Sequence, residues 1–407
     1  MIAYLPVNFP SVYALDKWGS RYGVLIGIFL TTVGLWLRCL INYNFIWAII
    51  GQTVLAIAQP FTFNAPAKIS ANWFGEKERL YSTSVAVNAN TLGVAIGYFI
   101  PALFVKDQDE FHQEDAKNHT WQLMMCVAAA STAILIPVAL SFKDKPPSPP
   151  SYSQVSDMLK VNQSLKKDLA SLIKNKGFML ACFANGGVMA FSYSFTTLFA
   201  QMISIYGFTA SQSSWIGTTY LLAGMVGGIL ASVFLTYKPN YRFCSIFMTL
   251  MTLGTCISTY FAIISLSYEF LMVTCAFNGF FCLGIFTVAY ELAVEMSFPI
   301  GEATSGGLIN SISSIFGISQ IMAITPILER AEKQDVMITT LIFSGMLLLS
   351  LLLFIFTKFD LARIKFEQQD KFNNTGLEMM SMHRFNQSID LKNENFSSIA
   401  PMVVEEV

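Results

Sequence analysis

Charged side chains inside long apolar runs are where this chain could do chemistry, because a charge in lipid is costly and is kept for a purpose. Lys68, Glu291, Glu295 and Arg38 are the ones to weigh, and all four lie toward the ends of their runs. Lys68 is about 35 Å along a helix from Phe45, counted at the helical rise. Glu291 and Glu295 are one helical turn apart near the same end of theirs. Charges gathered at one end of a helix bundle suit a gate, in which Lys68 bonds to Glu291 or Glu295 and holds that end shut. The turn Asp16, Gly19, Arg21 adds a second charged group at the same level. No Asp, Glu, Lys, Arg or His stands at the centre of an apolar run, His112, His119 and His383 included. That argues against a proton relay. The seven cysteines (39, 126, 182, 244, 256, 275 and 282) form no CxxC pair, so neither a disulfide framework, a metal site nor a cofactor is expected. No nucleophile–base pair or phosphate loop is present, so the sequence does not read as an enzyme.

These residues sit in an all-α membrane protein. Of 407 residues, 54% are hydrophobic and 13% charged, where soluble domains carry about a quarter charged. The net charge of −1 gives no reason to expect a nucleic-acid partner. Runs free of charge predict membrane helices over 22–37, 39–67, 80–105, 118–142, 177–237, 243–268, 270–290, 303–328 and 336–357. The polar stretch YGFTASQSS (206–214) divides 177–237 in two, and the uncharged opening 1–15 adds one more, so about eleven crossings are expected. Basic residues crowd the loops 16–21, 75–79, 143–176 and 238–242, which places these on the cytosolic side. Acidic loop 106–117 faces outside and leads into Asn118-His119-Thr120, a glycosylation pattern. The organisation expected is a membrane half over 1–142, a proline-rich cytosolic linker over 143–176, a second half over 177–357 and a cytosolic, disordered tail over 358–407.

The halves are related. Shifted by 224 residues, WFGEKERLYSTSVAVNANTLG (73–93) falls on SFPIGEATSGGLINSISSIFG (297–317), matching Phe74 to Phe298, Glu78 to Glu302 and Gly93 to Gly317. Parallel six-helix repeats are the build of major-facilitator transporters, with the substrate between the halves. The second half shows six helices and the first only five. The opening 15 residues reach about 22 Å, short of the ~30 Å hydrocarbon core. The expectation is therefore a first helix and part of the second missing from the chain as written, with Met1 an internal methionine.

Several stretches resemble one branch of these transporters. LPVNFPSVYALDKWG (5–19), AKISANWFGEKE (67–78), LLAGMVGGIL (221–230), YELAVEM (290–296), EATSGGLINS (302–311) and IFG (315–317) are similar, in order, to the feline leukaemia virus subgroup C receptor-related transporters. The resemblance implies facilitated transport of choline and ethanolamine, or of haem, in the plasma membrane. It implies a substrate site at Gln59, Asn90 and Tyr193, with Ser314 where the family has a glutamine. It also implies that Asp16 caps a helix of its own half. The family's first-helix tryptophan has no counterpart here.

Those residue types suit an organic cation. A quaternary ammonium can rest on aromatic faces such as Tyr193, helped by Phe191 or Tyr220, for about 2 kcal/mol once desolvated. Gln59 and Asn90 offer amide oxygens. Haem would favour a central Arg or Lys for its propionates and an axial ligand such as His. The leading expectation is a monomeric transporter of a choline-like solute in the lipid bilayer. Haem transport or export is the alternative, and a membrane receptor that binds without transporting is a third.

Overall fold

The computed structural model describes residues 3–75, 78–104, 113–146 and 165–366, which contain helices and turns and no strand. The centre of the acidic loop, most of the proline-rich linker (147–164) and the tail from 367 onward lie outside the described residues. Contacts group residues 1–360 in one unit and 361–407 in another, of which only a short helical stretch at 362–366 is described.

In the first half α1 (Tyr4–Tyr13) runs into a π turn (Ala14–Trp18), followed by α2 (Ser20–Arg38) and a 3₁₀ turn (Cys39–Asn42). Then come α3 (Phe45–Phe63), α4 (Ala65–Trp73), α5 (Arg79–Phe104) and α6 (Gln113–Ser141). The short amphipathic α7 (Leu165–Lys174) leads into the second half: α8 (Lys176–Ser204), α9 (Ala210–Tyr237), α10 (Tyr241–Ile264), α11 (Tyr268–Ser297), α12 (Glu302–Leu328) and α13 (Lys333–Phe356). Among the described residues, nine helical stretches are long and apolar enough to cross a membrane. The two others expected are α1, only ten residues long, and the 26-residue α5.

Local chemistry sets the boundaries. The split inside 177–237 falls where the sequence puts it: Gly207 takes φ +86°, and Thr209 then caps α9. Its hydroxyl accepts from Gln212 N at 3.2 Å while Gln212 Oε1 accepts from Thr209 N at 3.0 Å. Asn44 caps α3, so the helix begins at Phe45 rather than at the start of the apolar run at 39. Pro60 and Pro66 flank Asn64, where α3 and α4 part.

The 224-residue shift carries Phe45–Trp73 onto 269–297, which is α11 almost residue for residue. It carries α2 onto α10 and α5 onto α12 within a few residues. One difference stands out: α3–α4 breaks at Asn64, whereas α11 runs unbroken through the matching position, Val288.

Two seams join the halves, α1 against α12 and α5 against α9. Within the second half, α9 and α11 approach so closely that a Cβ at Gly227 would overlap the Phe280 carbonyl, and one at Gly279 the Tyr220 carbonyl. Gly93 and Gly97 do not serve such a contact among the described residues: a Cβ at either would meet nothing within 4 Å.

Candidate functional site

A cavity of about 430 Å³ lies between the halves. The first half contributes Gln59 and Thr62 from α3 and Asn90 from α5, and the second Tyr193 and Thr196 from α8 with Phe286 and Tyr290 from α11. Gln59, Asn90 and Tyr193, distant in sequence, therefore face one space. Tyr193 and Phe286 meet edge to face, their ring centroids 5.8 Å apart, as aromatic quadrupoles prefer. None of the described lining residues is charged and none is a histidine. Ser314 is buried on α12 and is not among the described lining. Phe191 and Tyr220 do not line the cavity either. They pack with Phe195 and Phe343 in the core of the second half, and Tyr220 Oη lies 3.1 Å from Ser192 Oγ.

A larger cavity, about 820 Å³, lies toward the other end of α2 and α3, with Arg38, Gln52 and Thr197 in its wall and Ile318 and Met322 opposite. At the end bearing the basic loops the halves are instead joined by charge. Lys68 Nζ is 3.4 Å from Asp16 Oδ1 and 3.5 Å from Glu302 Oε2, with all three side chains less than a fifth exposed. Low exposure strengthens these attractions relative to a surface pair. Lys68 thus bonds across the halves to Glu302, the first residue of α12, which the sequence reading used only as a marker of the repeat. Glu295 is buried on α11, and Glu291 is buried there with no hydrogen bond or ion pair to a described residue.

Asp16 differs from what the resemblance implies. Its carboxylate accepts from Thr304 Oγ1 at 2.8 Å and presses on Gly301, where a Cβ would come within 3.0 Å. It therefore sits at the N-terminus of α12, in the other half, where the helix dipole favours an anion. The π turn holding Asp16 and the reversal at Gly19 (φ +98°) set that placement. The same-half cap belongs to Asp144, just beyond α6, whose Oδ1 accepts from Ser20 Oγ at 2.8 Å and Arg21 N at 3.1 Å at the start of α2. Arg21 Nη2 in turn donates to the Ala139 carbonyl near the end of α6, at 3.4 Å.

Sequence reasoning missed Phe286, Thr196 and Tyr290 as lining. Tyr290 was quoted in YELAVEM, but nothing in the pattern said which way its ring would face. Among the described residues no group of His, Cys, Asp and Glu could hold a metal.

The sequence profile of the Major Facilitator Superfamily matches residues 1–318. The chain belongs to that superfamily. This facilitator is a multi-pass membrane protein, and it is 33% identical over 334 residues to a choline/ethanolamine transporter of Felis catus, FLVCR1. That match covers 78% of this chain and 58% of the relative. It is 30% identical to the choline/ethanolamine transporter FLVCR2 of Homo sapiens over 78% of this chain and 61% of that one. The chain spans less than two thirds of the length of these relatives. Its fold is similar to the fucose:proton symporter FucP of E. coli, with a TM-score of 0.67, 14% identity and 88% of each chain covered. A second FucP structure, in the outward conformation, gives 0.66 at 16% identity, covering 88% of this chain and 87% of that one. The resemblance drawn from the sequence and the all-α major-facilitator fold both stand.

Proposed function

We propose that this facilitator moves a small organic cation of the choline or ethanolamine kind by alternating access of the cavity between its halves. The observation that carries the reading is the meeting of Gln59, Asn90 and Tyr193 in one space with Phe286 and Tyr290. Aromatic faces attract a quaternary ammonium without a formal counter-charge, and the amides can bond a hydroxyl. The volume, about 430 Å³, falls in the range of small-molecule sites. The names of the relatives agree with this substrate class. Haem is served less well, since the described lining offers no Arg or Lys for propionates and no His for iron. Asp16, Lys68 and Glu302 act in this reading as a seal at the cytosolic end, with the larger cavity as the outward mouth. Arg21 steadies the first half, and Glu291 and Glu295 lie buried on α11.

Uptake of radiolabelled choline into cells expressing the chain tests this. Tyr193→Ala should lower uptake by about thirtyfold, the worth of a desolvated cation–π contact, while Tyr193→Phe retains most of it. Uptake equal to empty vector would overturn the transport reading, and saturable binding without uptake would make the protein a receptor.

A further inference from the structure

Beneath the cavity, four buried polar side chains from both halves form an unbroken hydrogen-bonded chain. Tyr290 Oη donates to Asn310 Oδ1 at 2.8 Å, and Asn310 Nδ2 donates to Asn64 Oδ1 at 3.0 Å. Asn64 Nδ2 donates to Asn8 Oδ1 at 2.6 Å, and Asn8 Nδ2 donates to the Gly307 carbonyl at 2.7 Å and to Ser311 Oγ at 2.6 Å. The chain crosses between halves twice, at Asn64–Asn310 and at Asn8–Gly307. Each of the three asparagines is at most 3% exposed, and each uses both ends of its amide. Such a network is nearly all-or-none, because a buried amide left without its partner bears the full cost of desolvation.

We propose that Asn8, Asn64 and Asn310 form an uncharged latch between the halves, and that Tyr290 is the positioning residue through which the cavity's occupant releases it. The proposal rests on the alternating-access reading above. Tyr290 lines the cavity, and its single O–H can donate to one acceptor at a time. A solute that presents a hydroxyl or other acceptor there draws that proton away from Asn310 and removes the bond that ties its amide to the cavity wall. The latch then weakens, and water from the opening end takes over its amides. A solute with the same ammonium and no acceptor occupies the aromatic part of the cavity and leaves the latch closed. Choline and tetramethylammonium are such a pair.

The test is the rate at which a membrane-impermeant maleimide labels Ile318→Cys, in the wall of the larger cavity, in the full chain carrying Cys126→Ser. Cys126 is the exposed native cysteine, and the other six are buried. Asn64→Leu should lower labelling about tenfold, as the loss of one to two buried hydrogen bonds tips the halves toward the opposite opening, and Tyr290→Phe about threefold. Asn185→Leu is the control, because its buried amide donates only within α8, to the Ala181 carbonyl, and labelling should not change. In the parent, choline should slow labelling and tetramethylammonium should not; in Tyr290→Phe neither should. Unchanged labelling in Asn64→Leu and Tyr290→Phe overturns the latch, as does an equal fall in Asn185→Leu. Equal effects of choline and tetramethylammonium overturn the role of the Tyr290 hydroxyl. If the latch variants shift labelling and neither cation affects the parent, the latch stands and the choline reading fails.

Discussion

The two seams between the halves are related by the internal repeat, since α12 corresponds to α5 and the end of α9 to α1, yet they are built from different interactions. Between α1 with its π turn and α12, Asn8 and Asp16 make three hydrogen bonds of 2.6–2.8 Å with Gly307, Ser311 and Thr304. Between α5 and α9 the bond described is Ser84 Oγ to the Gly228 carbonyl, at 3.5 Å, and the Thr83 hydroxyl is buried with no partner among the described residues. There the fit is steric, with a Cβ at Gly228 coming 3.1 Å from the Asn88 amide. Short polar contacts are specific and break in steps once water arrives, whereas glycine-based packing tolerates small rotations without losing a bond. The first seam is equipped to lock and the second to pivot.

The largest effect should come from removing the lock's charge. Lys68→Glu should abolish uptake, because a partly buried ion pair with one sign reversed is destabilised by about 3–5 kcal/mol. Lys68→Glu combined with Glu302→Lys should recover part of it, and no recovery would dissociate the pair from the gate. Filling the pivot comes next. Gly228→Val should cost about 1–3 kcal/mol by overpacking and lower the thermal midpoint, without changing which side is open. Comparing the two caps is subtler still: Asp144→Ala, within one half, should cost about 1 kcal/mol of stability and leave Ile318→Cys labelling alone, while Asp16→Ala, which spans the seam, should slow it. The smallest effect concerns Asp168 on α7. Burial, and then the nearby Asp16 charge, raise its carboxyl above the usual aspartate range, with Lys17 opposing. The folded state thus holds that proton more tightly than the unfolded one, so stability falls as pH rises through the raised value. Asp168→Asn should raise the thermal midpoint by about a degree at pH 7 and lose that gain below about pH 4.

Much of the lock could be seen in the sequence only as isolated parts. The helices and the break at 206–214 were legible because charge-free length and capping residues are local signals. The repeat was legible because a fixed spacing survives divergence. Gln59, Asn90 and Tyr193 came from the resemblance, and the cavity that gathers them depends on how four helices tilt, which no single helix encodes. The bond from Lys68 to Glu302 was not foreseen for a related reason. Glu291 and Glu295 sit at the right depth, but depth along a helix says nothing of azimuth, and Glu302 at the head of α12 reaches the lysine. Asn8, Asn64 and Asn310 gave no signal at all, since a neutral amide in an apolar run announces neither a partner nor a direction. The break in α3–α4, absent at Val288, is what turns Asn64 sideways into the seam.

The uncharged lining of the smaller cavity has an electrical consequence. With no charge on its described walls to travel with the solute, the net charge carried across in a turnover of the proposed cycle is the solute's own. A membrane potential of 100 mV is worth about 2.3 kcal/mol per elementary charge, equivalent to about a fiftyfold concentration ratio for a monovalent cation. Accumulation inside a negatively polarised cell would then follow voltage alone, collapse on depolarisation with potassium, and be indifferent to an imposed pH gradient.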